Sequence, residues 1–403
     1  MEKTYIMRKH AACLLILCLI GILTACNGVN KPGSEVAGTE TTQEIASTEA
    51  ARNLEILNKH IFHRDDSAGV HIQIPTDDFS ALGFAYGDSV DLVFSNGYKL
   101  EDVPYYNGYY VDAYQPLLVG YPGRKAIKAG INYGDDLWIT AGVTMKDTCS
   151  IYLREKGKYK AVQDAMDIHY SDDRQDFSSD EVFANFRNVS VGKIGDNILY
   201  RSASPCNNKR NRAPYADGLA EKAGIRCILD LADDDKLIAG YMAVEDFNSP
   251  YFKELYEKGD VIPAQMAMNY VSEDFKNALS GALTRMTEKE GPYLVHCTEG
   301  KDRTGFVCIL LEMLCGATYK EIEKDYMITY DNYYGINEES DPERYKTIKE
   351  KNIDPMIKEI IGDESVDITT ADLSDYAKKY MLRIGMSEQD ADTIVSRLNH
   401  NSH

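Results

Sequence analysis

The chain has 403 residues, of which 44% are hydrophobic and 10% aromatic, and its formal net charge is −20. These proportions are ordinary for a globular protein, and the length is sufficient for two domains. An acidic chain of this kind argues against nucleic acid and against broad adhesion to anionic lipid heads, so an anionic substrate would have to be attracted by a local basic patch.

The N-terminal residues predict export. A basic start precedes an apolar run at 11–22, which is too short to span a membrane and has the form of a secretory signal. Leu23, Thr24, Ala25 and Cys26 follow. A small residue directly before a cysteine resembles a bacterial lipoprotein signal, which implies a signal peptide of residues 1–25 and lipidation of Cys26. An uncleaved anchor is the alternative, and both place the protein outside the cytoplasm, attached to the cell membrane.

Two segments of different character follow the signal. Residues 26–52 are rich in Ser, Thr, Glu and Gly and poor in apolar side chains, which predicts a solvated, disordered tether. Residues 53–165 predict a small, mainly β domain, because short apolar runs alternate there with turn signals. One run, at 90–94, leads into Asn96-Gly97, a strong hairpin signal.

Part of this β region has a family resemblance. The stretch 116–152, with Ala-Gly-Ile-Asn-Tyr-Gly-Asp at 129–135, is similar to the C-terminal β domain of S-adenosylmethionine hydroxide adenosyltransferases. The catalytic half of that family is absent, so the resemblance implies an architecture and no activity.

A second domain is predicted at 182–403, after an acidic linker at 166–181. Its strands alternate with helices before a helical C-terminal extension, which favours an α/β fold. The predicted elements are strands at 198–202 and 225–231 and helices at 214–223, 274–287, 306–314, 319–330, 342–361 and 387–398. The predicted fold class is α/β, with a central mixed sheet flanked by helices and preceded by the small β domain.

Residues 293–305 carry the most informative motif. Tyr-Leu-Val at 293–295 predicts a buried strand, and a helix-like apolar stretch begins at Thr304, with Cys297 and Arg303 between them. Backbone N–H groups of a loop that opens a helix form an anion site, and the helix dipole favours the thiolate form of a cysteine there. Arg303 adds a planar fork for two phosphate oxygens. The spacing predicts phosphate ester cleavage through a cysteinyl-phosphate.

The motif resembles the signature of the cysteine-dependent phosphatase superfamily, which includes the protein tyrosine phosphatases. His296, Cys297, Gly300, Arg303 and Thr304 all stand where that signature places them. The form Gly-Lys-Asp-Arg-Thr-Gly at 300–305 resembles the atypical bacterial tyrosine and phosphoinositide phosphatases, in which an Asn-Phe-Arg element and a Tyr-Arg-Ser strand also precede the catalytic region. A buried structural cysteine is the alternative interpretation.

The expected roles centre on residues 297–303, called here the signature loop. Cys297 attacks phosphorus, and Arg303 with the loop amides stabilises the equatorial oxygens. Thr304 donates a hydroxyl to the thiolate, and His296 organises the loop more than it acts as a base. The residues expected to bind or surround the substrate are His296, Thr298, Glu299, Gly300, Lys301 and Thr304. This thiolate chemistry requires no metal and no cofactor.

The general acid has several candidates. Many relatives carry an aspartate on a separate loop before the cysteine, where this chain has no carboxylate at 265–271. Asp302, inside the loop, is the preferred residue. The alternatives follow a predicted strand and also fit a solvated turn: Asp233, Asp234 and Asp235.

Two features bear on the substrate. Lipid phosphatases of the superfamily carry a lysine at the position of Lys301, but Thr298 replaces the second lysine of some of them and Glu299 adds an opposing charge. A basic cluster could hold a second phosphate or could be a solvated loop: Lys209, Arg210 and Arg212.

The leading hypothesis is an exported, lipid-anchored phosphatase acting on phosphotyrosine proteins. Phosphoinositides or free inositol phosphates are the alternative substrates. A phosphate-binding pseudoenzyme or adhesion lipoprotein is the alternative of another class. The nine cysteines show neither a disulfide framework nor zinc-site spacing.

Overall fold

The computed structural model describes residues 54–399. The predicted signal peptide and tether, with Cys26, lie outside the described residues. Among the described residues, no helix combines the length and the apolar character that a membrane crossing needs.

The first part of the described chain is a closed β-barrel, in which the strands follow the order β1-β2-β6-β5-β4-β3-β7. Its strands are β1 (Glu55–Arg64), β2 (Ser67–Ile72), β3 (Ser89–Phe94), β4 (Lys99–Tyr106), β5 (Pro116–Val119), β6 (Ile127–Ile131) and β7 (Thr148–Glu155). Two short helices, α1 (Thr76–Ala81) and α2 (Leu137–Thr140), lie between them. The predicted hairpin is confirmed: β3 and β4 pair antiparallel, and Gly97 has a φ of +94°. The adenosyltransferase resemblance stays a prediction.

The barrel interior is built by the two-residue period of its strands. In β3, Val90, Leu92 and Phe94 are buried, whereas the residues between them are half-buried. Strands β4 and β5 pair parallel, so the segment 107–115 has to cross from one end of the barrel to the other. This crossing segment becomes important at the candidate site.

A five-stranded sheet forms the second part, in the order β11-β10-β12-β9-β8. Its strands are β8 (Arg187–Val189), β9 (Leu199–Ser202), β10 (Cys227–Asp230), β11 (Val261–Pro263) and β12 (Tyr293–His296). All neighbours are parallel except β8 and β9. His296 is in register with both Ser202 and Asp230. The carboxyl ends of three strands therefore meet where the signature loop begins.

Helices precede, separate and follow the strands of this sheet, and the predicted fold class is confirmed. They are α3 (Lys160–Met166), α4 (Asp180–Phe183), α5 (Ala213–Lys222), α6 (Asp235–Met242), α7 (Pro250–Glu257), α8 (Glu273–Met286), α9 (Asp302–Leu314), α10 (Tyr319–Tyr334), α11 (Pro342–Ile348), α12 (Asp354–Ile361), α13 (Ser374–Arg383) and α14 (Glu388–Leu398). Helix α9 is central: its residues from Thr304 to Leu314 are all buried. Such burial needs an apolar surface on every side, which the sequence of α9 supplies.

The structure corrects several element predictions. The single helix predicted at 342–361 is wrong, because a π-helical turn at Lys349–Ile353 separates α11 from α12. Pro355 has no N–H to donate to the preceding turn, so a regular α-helix cannot continue through it. Helix α9 begins at Asp302, four residues before the predicted start, and α10 runs one turn beyond the predicted end. Sequence reasoning missed α6, α7, β11 and α13.

Candidate active site

The signature loop lies between β12 and α9. Cys297 directly follows the strand and is 4% exposed, and α9 starts at Asp302, so the first amides of that helix belong to the loop. Gly300 has a φ of +67°, and a Cβ there would clash with the carbonyl oxygen of Ser202. Only glycine satisfies both the backbone conformation and this close approach.

The carbonyl groups around the loop are bonded to partners outside it. The N–H of Leu231 donates to His296 (2.9 Å), Nδ1 of His296 lies 3.4 Å from the Cys297 oxygen, and the N–H of Ser204 donates to Thr298 (3.3 Å). The hydroxyl of Tyr333 donates to Glu299 (2.8 Å), Asn185 and Arg201 donate to Gly300 (3.2 and 3.1 Å), and the N–H of Gly305 donates to Lys301 (2.8 Å). These bonds fix the peptide units, with their carbonyl oxygens directed out of the loop.

The amide groups show the opposite pattern. Within residues 54–399, no N–H from Thr298 to Arg303 donates a hydrogen bond to a protein acceptor. Amides that open a helix and point into a concave loop attract an anion, and the dipole of α9 adds to this attraction. The loop therefore has the donors that a bound phosphate needs.

Two buried ion pairs fix the position of the arginine that donates to the carbonyl of Gly300. Nη1 of Arg201 lies 2.6 Å from Asp325, and Nε of Arg187 lies 2.9 Å from the same carboxylate. Burial opposes the charge of Asp325, but the two guanidinium groups hold its pKa well below the ordinary value. Arg201 is fully buried and also donates to Gly300, so a shared carboxylate fixes the guanidinium that holds the loop.

The side chains within and after the loop keep free hydrogen-bonding capacity. Arg303 donates to the carbonyl of Met266 (3.2 Å) and to the hydroxyl of Thr298 (3.3 Å), while its Nε has no partner among the described residues. The hydroxyl of Thr304 is buried and also lacks a partner in the described chain. Buried polar groups are rarely left unpaired, which suggests that a ligand or the Cys297 sulfur completes them.

His296 lies behind the loop in a buried polar cluster. Its side chain is fully buried, burial lowers its pKa to about 4, and Nε2 is 3.8 Å from Asp230. A neutral, inaccessible imidazole can organise the loop but cannot contact a substrate. Burial raises the pKa of Asp230 to about 6, and burial with the charge of Asp230 raises the pKa of Asp233 to about 6.

This cluster contains the one set of side chains in the described region that could hold a metal ion. Ligand atoms of Cys206, Asp230 and Asp233 lie within 4.8 Å of one another, and all three residues are buried. Burial raises the pKa of the Cys206 thiol well above its ordinary value. A metal would require the deprotonated forms, whereas these surroundings favour the protonated ones.

The general-acid candidates differ in their surroundings. Asp302 is 41% exposed, and its closest charged partner is Lys301 at 4.0 Å. Asp233 is buried and accepts from the hydroxyl of Tyr241 (3.0 Å). Asp234 caps α6, and Asp235 accepts from Tyr256, so both stabilise the start of a helix that sequence reasoning missed.

Arg210 and Arg212 of the predicted basic cluster are paired within the protein, whereas Lys209 is exposed. Arg212 is buried, with its guanidinium bonded to Phe183, Asp172, Arg210 and Ser171. It is neither a phosphate ligand nor part of a solvated loop. Arg210 pairs with Asp172 at 3.0 Å and with Glu299 at 3.5 Å. Arg210 therefore joins the predicted linker to the signature loop, and Arg212 bonds Ser171 and Asp172 of the same linker.

Comparison with known proteins identifies the family. A family model described as the tyrosine phosphatase family matches residues 183–399. The chain belongs to the tyrosine phosphatase family. Among solved structures, the core catalytic domain of the PP-IP phosphatase SIW14 from S. cerevisiae is similar at 21% identity, over 44% of this chain and 91% of that one, with a TM-score of 0.26. No curated protein matches the chain.

A cavity of about 390 Å³ lies beside the signature loop. Lys301, Asp302 and Arg303 line it, whereas Cys297 does not. Arg303 connects the two regions, because it lines the cavity and also bonds Thr298, next to Cys297. Burial opposes the charge of Lys301, but the carboxylates of Asp302 and Glu299 help to hold its pKa well above the ordinary value. The cavity is within the size range of small-molecule sites.

Several residues that position the loop were not assigned roles from the sequence. Asn185 and Arg201 stand in the Asn-Phe-Arg and Tyr-Arg-Ser elements, whose resemblance was the only available signal. Tyr333 gave no signal, since it lies in the last turn of α10, beyond the predicted helix end.

Replacing Tyr333 by Phe tests how the loop is held. The change removes the donor to the Glu299 carbonyl and keeps the ring. We expect about a fivefold loss of affinity for tungstate, measured by calorimetry, because one hydrogen bond contributes about 1 kcal/mol. Tyr380→Phe is the matched control, since that buried hydroxyl has no partner in the described chain. Equal tungstate affinities for both variants would show that the carbonyl contact does not shape the loop.

Proposed function

We propose that the protein is a phosphomonoesterase that hydrolyses phosphotyrosine through a cysteinyl-phosphate. The observation that carries this proposal is the pattern of peptide units in residues 297–303, where the carbonyls are bonded outward and the amides have no acceptor among residues 54–399. Cys297 stands at the start of this ring and Arg303 at its end. Family membership supports the proposal, because cysteine chemistry is what the signature of the family implies.

The proposed reaction has two steps. In the first, the sulfur of Cys297 bonds to phosphorus, the bond to the leaving oxygen breaks, and Asp302 gives that oxygen a proton. In the second, water attacks phosphorus, Asp302 takes a proton from it, and the S–P bond breaks to release phosphate and the thiolate. Arg303 and the amides hold the equatorial oxygens in both steps. The Thr304 hydroxyl stabilises the departing thiolate.

The cavity favours an aromatic phosphate ester as the substrate. Eight of its lining residues are aromatic, including Tyr270, Phe306, Tyr330 and Tyr334. Its charged lining residues are three cations and two carboxylates, and the cation Lys351 is 3.3 Å from Asp112. A highly phosphorylated inositol would need more unpaired positive charge than this. Phosphoinositides and inositol phosphates are therefore the second candidates.

We also propose that the protein is exported and lipid-anchored at Cys26. The support is the sequence alone: a basic start, a short apolar run, and Ala25 before Cys26. Cys26→Ala should release the protein from the membrane fraction and abolish acyl labelling. An unchanged membrane fraction would argue against lipidation.

Cys297→Ser and a substrate panel test the proposed chemistry. We expect turnover of a phosphotyrosine peptide to fall by at least about a thousandfold, because the nucleophile is lost. Cys315→Ser is the control, since burial raises the pKa of that thiol to about 12 and leaves it inert. The wild type should retain activity in excess chelator and prefer the phosphotyrosine peptide to phosphoinositides and inositol hexakisphosphate. A wild type without phosphate release on the whole panel would indicate a phosphate-binding pseudoenzyme.

Asp302→Asn and Asp233→Asn test whether Asp302 or Asp233 is the general acid. We expect Asp302→Asn to lower turnover of an ester with a poor leaving group by about a hundredfold or more, and to affect a good leaving group less. Asp233→Asn should have a small effect. If Asp233 were the acid, its protonated form would be required, and wild-type turnover would fall as pH rises through the pKa of about 6. That pH profile, with full activity of Asp302→Asn, would reverse the assignment.

A further inference from the structure

The barrel contributes directly to the cavity beside the signature loop. One wall consists of residues 109–113 of the crossing segment, together with Asn132 and Tyr133 at the end of β6. The opposite wall comes from α8, α9, α10 and the π-helical turn, and it includes Asp302 and Arg303 at the start of α9, with Lys301 directly before them. The cavity therefore exists only because the barrel stands against the sheet domain.

The barrel wall is held in a defined conformation. The side chain of Asn132 donates to the carbonyl of Val111 (2.7 Å), and its backbone bonds both Tyr114 (2.6 Å) and Gln115 (3.0 Å). Tyr133 has a φ of +53°, in the left-handed region that a tyrosine rarely adopts. A strained residue next to an anchored segment is a frequent mark of a binding site.

The wall is close to the groups that would act on a substrate. The ring of Tyr133 packs edge-on against Tyr270 at 5.8 Å between centroids. Burial raises the pKa of Tyr133, and the negative charge of Asp302 adds to the effect. Burial raises the pKa of Tyr110 to about 12, while the charge of Lys301 opposes the rise. Tyr110 and Tyr133 line the same cavity as Lys301 and Asp302 of the signature loop.

We infer that the barrel is part of the substrate site, and that Tyr110 and Tyr133 are specificity-determining residues that pack against the aromatic ring of a phosphotyrosine. This inference rests on the proposed function. Aromatic rings gain energy from edge-on and offset contacts beyond the area that they bury, so two tyrosines on one wall favour an aromatic ester over an aliphatic one. Plain packing between domains would instead predict a change in stability without a change in selectivity.

The test compares an aromatic with a non-aromatic substrate in the full chain. We expect Tyr110→Ala and Tyr133→Asn each to raise KM for a phosphotyrosine peptide about tenfold, with kcat changed little, and to leave kcat/KM for acetyl phosphate unchanged. Asparagine is chosen at position 133 because it tolerates the left-handed backbone. Tyr133→Phe should keep the wild-type KM, since the ring is the proposed contact. Tyr121→Ala is the barrel control, because Tyr121 is 44% exposed and does not line the cavity.

The outcomes distinguish this inference from the proposed function. If both Tyr110→Ala and Tyr133→Asn kept the wild-type KM for the peptide, with normal activity throughout, the barrel inference would be overturned. The proposed function would still stand. Equal losses on the peptide and on acetyl phosphate, with lowered unfolding temperatures, would also overturn it in favour of plain packing. No peptide turnover by the wild type would remove the proposed function, and the inference with it.

Discussion

The outward bonding of carbonyl groups around the signature loop is the constraint on which the site depends. A peptide unit has one N–H and one C=O on opposite sides, so fixing the oxygen outside the loop turns the hydrogen inward. Tyr333, Asn185 and Arg201 supply this fixation for the two units before Lys301. Gly300 completes it, because its backbone is left-handed and the carbonyl of Ser202 leaves no room for a Cβ. The amides are then preorganised for an anion before one binds.

Preorganisation of this kind requires charged groups in the interior. Arg201 and Arg187 share Asp325 behind the loop, and burial with the charge of Asp325 raises the pKa of nearby Glu312 well above its ordinary value. Buried ion pairs add little stability, because desolvation of each charge offsets the attraction between them. What they add here is orientation, since a guanidinium fixed on one side by a carboxylate can donate to the loop only in one direction.

The charge at the cavity differs from that of the chain as a whole. The chain as a whole is strongly acidic, yet Arg303 and Lys301 of the signature loop both line the cavity. Aromatic rings from both the barrel and the helices line the same cavity. The barrel and the signature loop thus line one common cavity.

The sequence by itself determined the signature loop, the fold class, the hairpin at Asn96-Gly97 and the helix that Ser387 caps, because local spacing and backbone preference encode such features. Tertiary structure alone decided that Tyr333 holds the loop, that Arg212 is buried, and that the π-helical turn before Pro355 lines the same cavity as Tyr133. These contacts join segments that are far apart in the chain. Periodicity reports which face of an element is buried, but it carries no information about the partner on the other side.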